Sequence, residues 1–207
     1  MCNRYRMSAS DRDLAERYGA PLLDEDLTLP GGELFPKRPA WVVRQSAGER
    51  KLDVMKWGFP LEVSGPRGGT TKAVTNVRNY TSQFWRSALK DPERRCLVPV
   101  TAFSEYGPGP KGGKPLYWFD LPSRPIFSFA GVWRPAEDGA VFAFLTTEAN
   151  SVVEPIHPKA MPVILHDEDE EKWLTAQMED ALDLAEPFPA QLMNVAQDPN
   201  KGKPASE

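Results

Sequence analysis

Cysteine and histidine are scarce in this 207-residue sequence, which contains only Cys2, Cys96, His157 and His166. No Cys-x-x-Cys pair occurs. A Cys₂His₂ zinc set is arithmetically available, but the four residues lack the paired spacing of a zinc site. We therefore expect no metal, no other cofactor and a reducing, cytoplasmic setting.

The sequence also lacks a long apolar run and an excess of positive charge. No apolar stretch reaches the roughly 20 residues that a membrane-spanning helix needs, so no membrane association is expected. The formal net charge is −4, which argues against a protein that binds nucleic acid through bulk charge alone. A local basic groove remains compatible with this composition.

Proline outnumbers glycine, with 21 residues against 15, which is typical of many turns and edge strands and few long helices. Strands are predicted at residues 40–45, 51–59, 72–78, 94–106, 115–121, 126–133 and 140–146. Short helices are predicted at residues 8–18, 81–90 and 166–178, and a mobile loop at 60–71.

Short turns rather than helices join most of the predicted strands, so parallel βαβ winding is disfavoured. We expect an α+β fold with a β-rich mixed sheet, curved or barrel-like, and short peripheral helices. A single domain is expected over residues 1–196. A disordered C-terminal tail is expected over residues 197–207.

Met1 and Cys2 open the sequence, and no secretory signal pattern follows them. Removal of Met1, which a side chain as small as that of Cys2 permits, would leave a cysteine with a free α-amine and a thiol. An α-amine with a pKa of about 7.7–8.0 is partly unprotonated at neutral pH and condenses with a carbonyl to an imine. The thiol then closes a thiazolidine, so this terminus is predicted to trap aldehydes. The alternatives are that Met1 stays, or that Cys2 is a small apolar residue at a frayed end.

Other polar side chains stand out from their surroundings. Asn76 and Arg78 fall on one face of a predicted strand, where the amide could hold a substrate and the guanidinium a phosphate. The alternative is a turn asparagine beside a solvated arginine. Glu105 interrupts an apolar run, where burial would raise its pKa as a proton donor and acceptor requires, or else it faces water on an edge strand. His157 could be a general acid, although a histidine before proline is more often a surface or capping residue.

Together these stretches resemble the SRAP family (SOS response-associated peptidase), whose members protect abasic sites in single-stranded DNA. The resemblance spans nearly the whole chain, and the order and spacing of its motifs make it specific. It is carried by Met1-Cys2-x-Arg4, Trp57-Gly58-Phe59-Pro60, Asn76-x-Arg78, Arg95-Cys96-Leu97-Val98-Pro99, Phe103-x-Glu105-Tyr106, Ala130-Gly131-Val132-Trp133, the Thr146 stretch, and His157 with Met161-Pro162.

The resemblance implies a bacterial, monomeric sensor and shield of abasic sites. The C1′ aldehyde of an opened abasic sugar would react with Cys2 and form a reversible thiazolidine cross-link. His157 would transfer a proton to the sugar oxygen, Glu105 would shuttle protons during imine formation and reversal, and Asn76 would position the amine and the sugar. Cys2 and Glu105 could also remove Met1 by autoproteolysis. Implied DNA contacts are Arg4 and Arg78 at the flanking phosphates, together with Trp57, Pro36, Thr146 and Lys159.

The sequence departs from the family pattern at three places. Tyr80 stands where the family commonly has a glutamate, so any charge pairing by that residue is absent or replaced. The usual His-x-Arg-Met-Pro motif is one residue longer at 157–162 and has Lys159 for the arginine, a less directional phosphate ligand. The segment 64–70 lacks an aromatic pair on which bases stack, which predicts lower affinity for undamaged strands, by about 1–3 kcal/mol per stacked base.

Two other functions remain open at this point. One is a cysteine peptidase that cleaves other proteins with a Cys2 thiolate and His157. The other is a single-strand-binding module without catalysis, which the acidic net charge mildly disfavours. The aldehyde-trapping hypothesis requires an accessible Cys2 in a positively lined cleft, with Glu105 and His157 beside it.

Overall fold

The structure, a computed structural model, describes residues 2–26, 29, 31–65, 68–110 and 112–199. The strands within these ranges are β1 Tyr5–Met7, β2 Gly32–Leu34, β3 Pro39–Ser46, β4 Glu49–Trp57, β5 Phe59–Gly65, β6 Gly68–Val74, β7 Asn76–Val77, β8 Arg95–Val100, β9 Ala102–Tyr106, β10 Leu116–Asp120, β11 Phe127–Ala136, β12 Gly139–Thr147, β13 Met161–Pro162, β14 Ile164–Leu165 and β15 Asn194–Gln197. The α-helices are α1 Asp11–Tyr18, α2 Gln83–Lys90, α3 Glu170–Thr175 and α4 Met178–Leu182. Short 3₁₀ helices occur at Pro92–Arg94, Asp167–Asp169 and Ala190–Leu192. None of the described helices has the length and apolar character needed to cross a membrane.

Five strands close into a barrel. Strand β12 pairs with β4, β4 with β3, β3 with β8, β8 with β11, and β11 again with β12. The β12–β4 pair is parallel, as is the pairing of β7 with β12, whereas the other pairs of the ring are antiparallel. The prediction of a β-rich α+β domain with a curved, barrel-like mixed sheet and short helices is therefore confirmed.

A second, antiparallel sheet carries the N-terminal segment. Its strand order is β15-β10-β9-β1-β2. Strand β9 continues from barrel strand β8 after Thr101, whose backbone N–H donates to the carbonyl of Arg6 at 2.8 Å. Tyr5 of β1 lies opposite Phe103 of β9, and its ring packs edge-on against Trp57 at 5.2 Å between centroids. These contacts hold the residues before β1 at the junction of the two sheets.

The helices at 8–18 and 81–90 form close to their predicted positions because their ends carry capping residues. Ser10 and Asp13 form a capping box at the start of α1, and Gly19 ends the helix with a φ of 56°. Ser82 accepts a hydrogen bond from the backbone of Phe84 at the start of α2. The apolar face of α2 is buried against the core, as its pattern predicts.

Residues 60–65 and 68–71, which belong to the predicted mobile loop, lie instead in two paired antiparallel strands. Strands β5 and β6 pair antiparallel in a register that runs from Phe59 opposite Val74 to Gly65 opposite Gly68. Two glycines at the turn and β-branched residues in both arms favour this pairing over an irregular loop. Arg67, which was expected in that loop, lies outside the described residues.

The C-terminal third differs from its prediction in two details. The predicted helix at 166–178 is divided into a 3₁₀ turn and α3, and α4 begins at Met178 after a break. Gln197, placed at the start of the expected tail, is the last residue of β15, and the Asp198 backbone N–H donates to the Leu116 carbonyl at 2.8 Å. Residues 200–207 lie outside the described part of the chain, so the disordered tail stays a prediction.

A buried arginine joins two helix ends to the barrel. Arg95 is fully buried, and its guanidinium donates to the carbonyls of Leu89 at 3.2 Å, Trp173 at 2.7 Å and Ala176 at 2.7 Å. These carbonyls belong to the C-terminal ends of α2 and α3, where helices present unpaired acceptors and partial negative charge. Arg95 therefore ties both helices to β8.

We predict that Arg95→Met lowers the free energy of unfolding by about 3–5 kcal/mol, because it removes a charged donor and leaves buried carbonyls without partners. Urea denaturation followed by circular dichroism measures this change. Arg86→Ala on the exposed face of α2 is the matched control and should change stability by less than about 0.5 kcal/mol. Equal effects of the two variants would contradict the assigned role of Arg95.

Candidate functional site

Cys2 is enclosed at the junction of the two sheets, with 1% of its surface exposed. Its thiol lies 3.5 Å from the carbonyl of Arg4, to which it donates. Burial raises the pKa of the thiol far above its ordinary range, and the negative charge of Glu105 raises it further. In this conformation the group is a thiol rather than a thiolate. The prediction that Cys2 is accessible is therefore wrong for the described structure. Glu105 does lie close enough to Cys2 to raise the pKa of its thiol, as expected.

Asn76 fastens the Cys2 segment to the barrel. Its Nδ2 donates to the Cys2 carbonyl at 3.1 Å and to the Thr75 hydroxyl at 2.7 Å. That hydroxyl donates in turn to Oδ1 of Asn3 at 3.2 Å. Within the described part of the chain, Oδ1 of Asn76 is buried without a hydrogen-bond partner. The Asn76 carboxamide therefore holds the main chain of Cys2 through Nδ2, and its Oδ1 is a buried acceptor next to that contact.

Buried Glu105 and half-buried His157 form a polar pair next to Cys2. Glu105 is 6% exposed, and its Oε2 lies 3.8 Å from Nε2 of His157. Burial raises the pKa of Glu105 to about 7. Burial, together with the positive charges of the N-terminal amine, Lys159 and Arg78, lowers the pKa of His157 to about 4.

The distance between Glu105 and His157 alone is compatible with an ion pair, but the pKa shifts argue against one. At neutral pH the imidazole is uncharged, and the carboxyl group is divided between its acid and carboxylate forms. A carboxyl group with a pKa near the working pH both gives and takes protons efficiently. The pair therefore has the properties of a proton shuttle.

Two open clefts are lined by arginines that the sequence predicts to bind phosphates. One, of about 270 Å³, is lined by Arg78, Tyr80, Thr146, Thr147 and Glu148. The other, of about 490 Å³, is lined by Arg4, Arg6, Glu33, Trp118, Asp120 and the residues 196–199. Arg78 and Lys159 are exposed, whereas Arg4 is mostly buried and bound to Glu33. Each cleft therefore contains at least one of the arginines predicted to bind phosphates.

The strand that was expected to place Asn76 and Arg78 on one face ends at Val77. Asn76 is buried and Arg78 is exposed. The prediction that both side chains lie on one face of a strand is therefore wrong. At the position of the missing family glutamate, the Tyr80 hydroxyl donates to the Thr146 carbonyl at 2.7 Å. Tyr80 therefore makes a neutral hydrogen bond at this position.

The remaining predicted DNA contacts have different surroundings. Trp57 is 0% exposed, and its indole donates to the Thr75 carbonyl at 3.1 Å, so the expected DNA contact is wrong and the ring supports the Asn76 segment instead. The Thr146 hydroxyl donates to the Val77 carbonyl at 3.3 Å. Pro36 is half-buried. Contacts of Thr146 and Pro36 with DNA stay predictions.

Comparison with known proteins identifies the family. Residues 1–200 match the family described as SOS response associated peptidase (SRAP). The chain belongs to the SRAP family. Its relatives include the Abasic site processing protein YoqW of Bacillus subtilis strain 168, 27% identical over 190 residues that cover 87% of this chain and 83% of the relative. The Abasic site processing protein YobE of the same organism is 24% identical over 189 residues, covering 87% of this chain and 84% of the relative.

Solved structures share the fold of this SRAP domain. A protein from Bacteroides thetaiotaomicron superposes with a TM-score of 0.78 at 24% identity, covering 96% of this chain and 93% of that chain. A protein from Bordetella bronchiseptica superposes with a TM-score of 0.76 at 22% identity, covering 95% and 99%. These likenesses show that both solved proteins share the fold of this chain.

Two residues that lie in or directly beside the candidate site have no role assigned from the sequence. Thr75 links Asn76 to Asn3 but was singled out only as part of a motif. Tyr106 is 49% exposed directly after buried Glu105. The alternation of a strand carries the signal for Tyr106, since a buried Glu105 puts the next side chain on the open face. Nothing in the local sequence indicates the pairing of Glu33 with Arg4, which depends on the β1–β2 register.

We predict that Glu105→Gln stabilises the SRAP domain at pH 8. The folded state raises the Glu105 pKa from an ordinary 4.5 to about 7, so the folded protein binds this proton more tightly than the unfolded chain does. Stability is therefore lost as pH rises from about 4.5 to 7, and the neutral amide avoids that loss. The expected gain is about 1–3 kcal/mol at pH 8 and close to zero at pH 4.5.

Urea denaturation at the two pH values measures this difference. Glu137→Gln at an exposed position is the control and should show little change at either pH. A Glu105→Gln variant that is less stable than the wild type at pH 8 would show that the carboxylate is favourably solvated and would contradict the raised pKa.

Proposed function

We propose that this protein captures abasic sites in single-stranded DNA by forming a thiazolidine between the sugar aldehyde and Cys2 after removal of Met1. The single observation that carries the proposal is the convergence of Asn76, Glu105 and His157 on the Cys2 segment. The names of the relatives, abasic site processing proteins, point to the same substrate.

The reaction needs no oxidant and no metal ion to balance. Hydrolysis of the Met1–Cys2 bond releases methionine and leaves the Cys2 α-amine. This amine adds to C1′ of the opened sugar, and the resulting carbinolamine loses water to give an imine. The thiol then adds to the imine carbon while its proton passes to nitrogen, so the product is a thiazolidine and one water.

Glu105 has the protonation behaviour that these steps require. As a carboxylic acid it donates a proton to the departing hydroxyl, and as a carboxylate it accepts the thiol proton. Its pKa of about 7 supplies both forms at neutral pH. A thiol whose pKa burial raises needs such a base close by, because little thiolate forms on its own.

His157 would assist ring opening once DNA is bound. Burial is the largest cause of its low pKa, and the positive charges of the N-terminal amine, Lys159 and Arg78 add to it. A phosphate bound by these two side chains would offset their charges and move the imidazole pKa upward toward its ordinary value. DNA binding would thereby prepare His157 to hand a proton to the sugar oxygen.

Because aldehyde trapping requires access to Cys2 and the described structure encloses this residue, the proposal also requires the N-terminal segment to move and expose it. A cysteine peptidase acting on other proteins needs a standing thiolate, which forms in electropositive, partly exposed surroundings. Burial and the nearby Glu105 charge both disfavour that form of Cys2. The site therefore favours amine-led capture, in which the sulfur reacts second, over the peptidase alternative.

The first prediction from this proposal concerns the two cysteines. The wild type should form a denaturant-resistant adduct with a single-stranded oligonucleotide containing one abasic site, and intact mass should show loss of Met1. Cys2→Ala should abolish the adduct, because it lacks the sulfur that closes the ring. Denaturing gel electrophoresis measures the product.

Cys96→Ala is the matched control, since Cys96 is also a buried free cysteine but lies on β8 in the barrel. It should retain the adduct with wild-type yield. Loss of the adduct in both variants, or its persistence without Cys2, would contradict the proposal. Retention of Met1 in the protein that forms the adduct would contradict it equally.

The second prediction concerns Tyr106, whose exposed ring follows Glu105 on the open side of β9. We expect this ring to stack on a base beside the lesion. Tyr106→Ala should weaken non-covalent binding to single-stranded DNA by about 1–3 kcal/mol. Fluorescence anisotropy measures the change, and Tyr106→Phe, which keeps the ring, should bind like the wild type. An equal loss in both variants would assign the effect to the hydroxyl instead.

A further inference from the structure

Glu33 binds two arginines in the cleft beside the Cys2 segment. Its Oε2 accepts hydrogen bonds from Nε of Arg4 at 2.7 Å and from Nη2 of the same side chain. Its Oε1 accepts from Nη2 of Arg6 at 3.0 Å. Arg6 lies directly opposite Glu33 in the pairing of β1 with β2, so the sheet register builds this contact into the fold.

The two guanidinium groups are also held from the side by aromatic rings. The Arg6 guanidinium carbon lies 3.6 Å from the centroid of a Trp118 ring, and that of Arg4 lies 5.3 Å from it. Arg4 also lies 5.3 Å from the ring of exposed Phe35. Stacking fixes the plane of a guanidinium and leaves its N–H groups to bind an oxyanion. In this structure that oxyanion is the Glu33 carboxylate.

A carboxylate and a phosphate offer arginine similar pairs of oxygen acceptors. The Arg6 and Glu33 side chains are 38% and 28% exposed and face a cleft of about 490 Å³, so an incoming phosphate reaches them from solvent. Such a phosphate must either displace Glu33 or share the arginines with a negative charge next to it. Both outcomes weaken its binding.

We propose that Glu33 is an internal substitute for a DNA phosphate that lowers affinity for undamaged single strands by occupying Arg4 and Arg6. This inference rests on the proposed function, because it requires that bound DNA passes through this cleft. Because the protein would then bind intact DNA only weakly, the covalent reaction at Cys2 would determine which strands retain it. Glu33 is thus a specificity-determining residue rather than a catalytic one.

The test measures binding of the full chain to an undamaged, fluorescently labelled oligothymidylate over a series of salt concentrations. Glu33→Gln should bind about tenfold more tightly at low salt, because it frees two arginines for phosphates. The slope of log affinity against log salt should steepen by about 0.7 for each phosphate gained. Glu33→Ala should show the same change, and Glu33→Asp, which keeps the charge, a smaller one.

Asp120→Asn is the matched control. Asp120 lines the same cleft, but its carboxylate accepts from Asn194 at 3.4 Å, and the variant changes the net charge by the same amount. It should tighten binding less than about threefold, since it frees no arginine. Unchanged or weaker binding by Glu33→Gln, or equal tightening by both variants, would overturn the proposal. In the second case bulk charge explains the effect.

This outcome is separable from that of the proposed function because undamaged DNA offers no aldehyde. If the abasic oligonucleotide gives no adduct while Glu33→Gln still tightens binding to oligothymidylate, the capture chemistry fails and the inference about Glu33 stands. If the adduct forms and Glu33→Gln leaves binding unchanged, the capture chemistry stands and Glu33 only joins β2 to β1. In a mixture of abasic and intact strands, the wild type should discriminate between them better than Glu33→Gln.

Discussion

The hydrogen bond from Asn76 to the Cys2 carbonyl is the constraint on which the site depends. It joins the segment before β1 to β7, and β7 is paired with the barrel strand β12. The preceding residue, Thr75, is anchored in turn, because its carbonyl accepts a hydrogen bond from the indole N–H of Trp57. A buried amide that lost its partner would cost about 1–3 kcal/mol, so this chain of contacts fixes Cys2 relative to the barrel. Glu105, on the neighbouring β9, is fixed by the same sheet that holds β1.

Burial shifts the pKa values of the ionisable groups in this site and also encloses Cys2. The apolar surroundings that raise the pKa of Glu105 into the neutral range also keep the Cys2 sulfur protonated and lower the pKa of His157. A carboxylate in water would remain ionised and could not donate. On the proposed mechanism, an aldehyde would reach Cys2 only after the N-terminal segment moves. Such a trade between stability and reactivity is typical of sites that hold ionisable groups away from water.

The sequence predicted local elements well where their end signals are explicit. Ser10 and Gly19 delimit α1, and Ser82 begins α2, since caps act over a few residues. The hairpin of β5 and β6 was missed because its turn glycines suggested mobility, although their spacing also suits a tight turn. Propensity alone does not separate these two outcomes.

The site itself was only partly accessible from sequence. Family resemblance brought Cys2, Asn76, Glu105 and His157 together, whereas no spacing in the chain indicates that residues so far apart meet. The burial of Trp57 and of Cys2, and the pairing of Glu33 with Arg4 and Arg6, arise from strand register and sheet packing. Such long-range contacts are set by the whole fold and leave no mark within a local window.

The charge distribution explains how an acidic protein can act on DNA without adhering to it. With a net charge of −4 there is no general attraction to phosphates, so binding must come from a few side chains placed beside the reactive residue. Glu33 neutralises part of even that local charge. On the proposed mechanism, weak non-covalent binding would release intact strands, whereas a covalent bond to Cys2 would keep the protein on damaged ones. On the proposed mechanism, the protein would recognise damage by the presence of an aldehyde, and Arg4 and Arg78 would align the sugar with Cys2.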